Sequence, residues 1–294
     1  MTGSTTGSLL HYCGFIGAVS VSGFYLLCRL LIKRVPAILL TLFFTFTMNQ
    51  LVMGGLPDSY ILVAISLYPS YALTIICLKK NKLYFGWWLF AGLFAFSVTI
   101  TSSLQTAICF CIVHYKLKDK DLAIKTIIIF PVIMLLAGFG LSHLQAEIYP
   151  GAKHFYKPSV YEHEIKYVYG NIVDKPGQVA EEIVKSFLVY NFIGQKPRAS
   201  FLSPNKKVKL VYYRQTFHFG WSGFLALILW LWLFSKGAYK NYKSNNTKLW
   251  SSALIISIGA NILLFSCFGV YEIFLYSPHY SFIVLLLAIH AESF

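Results

Sequence analysis

The sequence predicts an all-α polytopic membrane protein. It should have about nine transmembrane helices and one extracytoplasmic loop of about 70 residues that contains an amphipathic surface helix. Three observations carry this prediction. First, the 294-residue chain is 57% hydrophobic and 12% charged, against roughly 25% charged for a soluble domain. A bare charge in hydrocarbon costs several kcal/mol, so spans exclude it. Second, the apolar residues fall in runs near the ~20 residues that a hydrocarbon core requires. Third, the cationic residues occupy alternate gaps between those runs. Clusters stand at Arg29, Lys33 and Arg34, at Lys79, Lys80 and Lys82, at Lys116, Lys118, Lys120 and Lys125, and at Lys236, Lys240, Lys243 and Lys248. The gaps around Gly54 to Asp58, Thr99 to Thr101 and Gly269 to His279 hold neither Lys nor Arg. That alternation is the positive-inside pattern and sets the N-terminus outside and the C-terminus inside.

Met1 to Ser8 lacks the basic segment and cleavage site of a signal peptide, so the first apolar run is a retained span. Spans are expected near Leu9–Ile32, Pro36–Met53, Ser59–Leu78, Leu83–Phe96, Ser102–Tyr115, Leu122–Ser142, Phe217–Phe234, Leu249–Phe268 and Tyr280–His290. The stretch Leu83 to Tyr115 is divided by parity. As one helix it would run about 50 Å, beyond a core of about 30 Å. The Lys clusters on both sides of it should also face the same compartment. The turn is therefore placed at SVTITSS (Ser97 to Ser103), whose hydroxyls can satisfy a broken backbone. Pro131, inside IIIFPVIML, should kink its helix. Trp87, Trp88, Trp221, Trp250 and Tyr84 stand near span ends, as an interfacial aromatic belt requires.

These spans divide the chain into an N-terminal membrane bundle (1–142, about six spans), an extracytoplasmic loop (143–216) and a C-terminal membrane bundle (217–294, about three spans, the last one short). The loop holds 11 Lys or Arg and six acidic residues, which a loop of its length tolerates on either side. Within it, DKPGQVAEEIVKSFLVYNFIG (Asp174 to Gly194) reads as one amphipathic helix, capped by Asp174 and ended by Gly194. It should lie along the membrane surface or pack on the bundle. KVKLVYYR (Lys207 to Arg214) alternates as a short strand does.

The formal charge of +14 does not indicate nucleic acid, because 14 of the 25 cationic residues stand in the four inside clusters, where they meet the lipid bilayer. The six Cys lie within or at the ends of apolar runs, without CxxC spacing, and read as small apolar residues. No Asp, Glu, Lys or Arg stands near the centre of any predicted span, and no inverted repeat is visible, which argues against a transporter.

The candidate catalytic residues are Asp58, Glu272 and His279, and the candidate substrate-binding residues are Arg214, His218 and Tyr276. Asp58, in GGLPDSY, suits a helix N-cap after Pro57; a carboxylate at the mouth of a bundle could also act as a base or metal ligand. In GVYEIFLYSPHY, a helix would set Glu272, Tyr276 and His279 on one face, unless Pro278 breaks the turn. A Glu beside a His suits acid–base work or diphosphate binding, and an interfacial polar collar is the plainer reading. Arg214 and His218 flank the start of a span, where they would meet a phosphate or a lipid head group. Glu162, His163 and Glu164 could ligate a divalent metal, although their spacing matches no zinc signature. His11 and Gln105 read as buried, satisfied polar side chains. Without a Walker sequence, GxGxxG, HExxH or GxSxG, no cofactor is implied.

PDSYILVAISL (Pro57 to Leu67), AGLFAFSVTIT (Ala91 to Thr101) and YEIFLYSPHY (Tyr271 to Tyr280), with an outside loop and surface helix between them, together resemble the later spans of bacterial GT-C type glycosyltransferases. The resemblance implies an inner-membrane enzyme that moves a hexose or pentose from a polyprenyl-phosphate carrier to a glycan, lipid or protein acceptor at the outer face. The family carries its acidic residues in a large first outside loop, whereas Asp58, the first acid here, stands in a short turn. No catalytic residue is therefore carried over. The final run SFIVLLLAIHAESF is short, and the chain is expected to be a piece of a longer enzyme, a truncated gene or a diverged relative without catalysis. An envelope polysaccharide polymerase or ligase, or a non-catalytic membrane subunit, are the alternatives.

Overall fold

The computed structural model describes residues 3–55, 60–117, 120–160, 176–193, 198–201, 209–212, 220–267 and 276–291. Each predicted span contains helix. In chain order the helices are α1 (Gly3–Leu31), α2 (Arg34–Thr45), α3 (Met48–Gly55), α4 (Tyr60–Lys80), α5 (Phe85–Val98), α6 (Ile100–Leu117), α7 (Lys120–Ile148), α8 (Pro176–Lys185), α9 (Trp221–Lys243), α10 (Lys248–Cys267) and α11 (Ser281–Ala288). Five of them contain a segment long and apolar enough to cross a membrane: α1, α4, α7, α9 and α10. The bent pair α2–α3 makes a sixth if it is one span.

The stretch Leu83 to Tyr115 forms two helices, as parity requires. They part at Thr99, which is extended (φ −150°, ψ 136°). Its hydroxyl lies 2.5 Å from that of Ser102, and its carbonyl accepts the Ser102 N–H. The two helices fold back on each other, so Phe85 and Trp88 rest 6.1 and 5.5 Å from the Phe110 ring. The predicted single span Pro36–Met53 is instead broken, with a 61° bend between α2 and α3. Thr47 makes the break. Its hydroxyl donates to the Phe44 carbonyl at 2.7 Å and accepts the Gln50 N–H at 3.3 Å, so it terminates one helix and caps the next. Pro131 stands within α7 without ending it.

One further expectation, the placement of Trp88 and Trp250, needs correction. Of its two expected placements, the amphipathic helix takes the one packed on the bundle. α8 passes into a π-helical turn, Ser186–Tyr190, and buries Ile183, Phe187, Val189 and Tyr190. Phe187 stacks on Tyr280 with ring centroids 3.6 Å apart. Trp88 and Trp250 are core residues rather than members of an interfacial belt, while Trp87 and Trp221 are exposed. Buried residues from Phe24 to Ala291 belong to one hydrophobic core, and α7 runs to Ile148. The predicted strand forms as β2 (Lys209–Tyr212). It pairs antiparallel with β1 (Arg198–Phe201), with Arg198 opposite Tyr212 and Phe201 opposite Lys209. Cys13, Cys28, Cys77, Cys109 and Cys111 are free thiols.

The short α11 is the centre of the molecule. Phe282 to Leu286 are buried on every side, as a helix apolar all round must be. A buried helix needs partners for its last carbonyls. Asn241 of α9 supplies them by donating to Leu287 O at 3.1 Å and Ile289 O at 2.6 Å, while its own carbonyl oxygen accepts the Ala291 N–H at 3.4 Å. The cationic clusters gather at that end of the bundle. Lys79 reaches the last turn of α1 at Leu30 O, and Lys116 reaches that of α4 at Leu78 O.

Candidate functional site at the Ser277–His279 turn

At the opposite end, the chain enters α11 through a one-turn 3-10 helix, Ser277–His279. Pro278 does not break this turn: it occupies an early helical position, where its missing N–H costs nothing. His279 N–H bonds Tyr276 O at 3.0 Å, and Tyr280 N–H bonds Ser277 O at 3.1 Å. The predicted neighbours Tyr276 and His279 are therefore together, three residues apart, with ring centroids at 6.3 Å. Asp58, Glu272, Arg214, His218 and the Glu162–Glu164 triplet lie outside the described residues.

The turn is held by side chains from three other segments. Asn49 of α3 grips both its ends: the carbonyl oxygen accepts from Ser277 Oγ at 2.6 Å, and the amide donates to Ser281 Oγ at 2.6 Å. Gln105 of α6 donates to His279 O at 3.1 Å and to Asn261 Oδ1 of α10 at 3.2 Å, and accepts from Tyr71 OH at 2.9 Å. Asn191, just past the π turn, donates to Tyr280 OH at 3.0 Å, and its backbone carbonyl accepts the Asn49 N–H. Buried amides need such partners, and Gln105 is a satisfied buried polar group, as expected. His11 is exposed.

His279 has one ring nitrogen engaged and one open. Nδ1 lies 3.1 Å from Tyr276 O. A carbonyl can only accept, so Nδ1 carries the proton and Nε2 keeps its lone pair. Nε2 is buried and has no partner among the described residues. The ring lies 5.2 Å from Phe265, which itself stacks on Tyr276 at 4.6 Å. A neutral imidazole with a free lone pair in an apolar, amide-lined setting can accept a proton or a hydrogen bond.

Two neighbouring features were not singled out in the sequence. Beside the α5–α6 turn a cavity of about 550 Å³ opens against α7. Its walls are mostly apolar, with Phe96, Leu141 and Phe155 among them and Gln145, Tyr149 and Lys153 as polar edges. It reaches Ile100, one end of the helix that carries Gln105. Nearby, His143 and His154 lie 4.8 Å apart, with Tyr156 OH 3.2 Å from His143 Nε2 and Ser142 Oγ 3.4 Å from His154 Nδ1. Their spacing follows no sequence pattern, so only folding brings them together. Among the described residues, no three His, Cys, Asp or Glu gather as a metal site requires. On α8, Lys185 pairs with Glu181 and, at 3.6 Å, with Glu182. Burial raises the Glu182 carboxyl above its ordinary range, opposed by Lys185. For Lys185, burial acts downward, but its acidic neighbours leave it raised.

Comparison with family models, curated proteins and solved structures finds no match for this chain.

Proposed function

We propose that this chain is an integral protein of the bacterial inner membrane with about nine crossings, N-terminus outside and C-terminus inside. We further propose that it is a GT-C-like glycosyltransferase acting at the outer face on a polyprenyl-phosphate-linked sugar. Its five long apolar helices and the cationic clusters at one end of the bundle support the membrane reading. The observation that carries the functional reading is the open Nε2 of His279, in a turn held at the other end by the amides of Asn49, Gln105 and Asn191. In the reaction, an acceptor hydroxyl attacks the anomeric carbon. The bond from that carbon to the phosphate oxygen breaks, polyprenyl phosphate leaves, and the hydroxyl proton passes to a base. His279, with Glu272 or Asp58, supplies the base. Tyr276 contacts the sugar, and Arg214 and His218 hold the phosphate, with or without a divalent metal.

A second reading is a non-catalytic membrane subunit. It is favoured by the 3% exposure of His279 and the cross-linking of its turn to α3, α6 and α10, which also suit a purely structural pin. Transfer from a polyprenyl-phosphate sugar, measured in membranes, separates the two. His279→Gln and Glu272→Gln should each lower the rate by about 10²-fold or more without lowering the melting temperature beyond a few degrees. Unchanged transfer in both folded variants would remove the turn from the chemistry. A wild-type chain that transfers nothing points to the subunit.

A further inference from the structure

At the cationic end, a cavity of about 290 Å³ lies between the last turns of α4 and α6 and the turn joining α9 to α10. Lys79, Asn81, Lys116, Asn245 and Asn246 line it, with Leu78 and Leu249 as its apolar floor. We propose that this cavity is a binding site for a phosphate group.

The argument rests on donor type, direction and charge. Among the described residues, every polar side chain in the lining can donate, and no acidic residue lines it. Two ammonium groups supply positive charge, and three carboxamides supply N–H donors. They converge from three separate elements, which suits a tetrahedral anion with several acceptor oxygens better than a flat carboxylate with two. The walls are also fixed. Lys79 is tethered to Leu30 O and Lys116 to Leu78 O, both at 2.5 Å. An ammonium carries three N–H groups, so one carbonyl does not saturate Lys116. Asn81 ends α4 with φ 50°, the left-handed geometry that closes a helix and that Asn tolerates. On the other side, the turn that presents Asn245 and Asn246 is closed by Thr247, whose hydroxyl donates to Asn241 O at 3.0 Å. Lysine stems tied at their tips lose less freedom on binding than free ones.

Generic attraction of a basic surface to anionic lipid is the competing explanation, and it predicts that any two lysines at this end count equally. Lys80 and Lys82 are exposed at the same end and do not line the cavity. The experiment therefore compares Lys79→Gln/Lys116→Gln with Lys80→Gln/Lys82→Gln, which remove equal charge. The full chain is placed in nanodiscs, and retained phosphatidylglycerol is counted by native mass spectrometry against phosphatidylcholine. Titration calorimetry with glycerol 3-phosphate and with inorganic phosphate forms the second arm. A site specific to the cavity loses about tenfold or more in affinity in the first double variant and changes little in the second. Retention of phosphatidylglycerol alone identifies a lipid head group as the source. Binding of glycerol 3-phosphate as well identifies a soluble phosphate ester. Equal losses in both double variants, or no binding of any probe, overturn the proposal. Should the Lys79/Lys116 variant fail to fold, Asn245→Leu/Asn246→Leu leaves both tethers intact and must show the same loss.

Discussion

Asn49 shows how much one side chain can hold. It links α3 to the turn before α11 across 232 residues of sequence, and both its amide atoms are used. Truncation would leave Ser277 and Ser281 without those partners in a buried setting. Polar contacts inside membranes average near ~0.6 kcal/mol and reach ~1.7. Two of them together, with buried hydroxyls left behind, place Asn49→Ala at about 1–3 kcal/mol. Its melting temperature in detergent should fall by several degrees, whereas Ser103→Ala, on an exposed local hydroxyl, should leave it unchanged. Equal melting of wild type and Asn49→Ala would mean that the turn is held by packing alone. At this scale the sequence was only partly readable. The motif YSPH singles out His279, because a His beside Pro and Tyr in an apolar run is unusual. Gln105 reads as a buried, satisfied polar side chain, whereas Asn49, Asn191 and Asn261 carry no such mark. Their significance comes from meeting one another, and one sequence by itself offers no sign of pairs so far apart.

Among the elements, the hairpin of α5 and α6 was legible because charge parity demanded an even number of crossings, and Thr99 with Ser102 supplied the turn chemistry. The break at Thr47 was missed even though Thr47 to Gln50 has the Thr-x-x-Gln pattern of a helix start. Continuous hydropathy from Val35 to Met53 masked it. The placement of α8 stayed open between surface and bundle for a related reason: amphipathic period shows that a face is buried, not whether protein or lipid covers it. Close helix packing yields a sharper test. A Cβ at Gly237 of α9 would collide with the backbone carbonyl of Ala288, at the end of α11. Backbone cannot swing aside as a side chain can, so Gly237→Ala should cost about 1–3 kcal/mol through overpacking. Gly259→Ala, with nothing within 4 Å, should be neutral or slightly stabilising through helix propensity. Thermal melting of the two variants side by side decides it; equal stability would show that α11 does not sit this close to α9.

The whole molecule is a bundle whose two ends differ in chemistry. One end collects the tethered lysines, and the other the amide-held turn and the His143–His154 pair. Anionic lipid favours juxtamembrane cations by about 1 kcal/mol each near the surface, so in the proposed membrane topology the 14 clustered Lys and Arg would bias the chain to one orientation. That bias makes the nine-crossing topology testable without any assay of activity. Cys13, Cys28, Cys77 and Cys109 are buried, so with Cys111 and Cys267 replaced by Ser an impermeant maleimide should react little with the parent chain. Lys82→Cys stands at the cationic end and Lys153→Cys beyond α7 at the other. In intact cells Lys153→Cys should label and Lys82→Cys should not; after permeabilisation both should. The reverse pattern would invert the protein and place the His279 turn in the cytoplasm, where polyprenyl-linked donors of the outer face do not reach it. Labelling of both positions in intact cells would mean that the segment from α5 to α7 does not cross three times, and the parity argument that places the α5–α6 turn outside would fall with it.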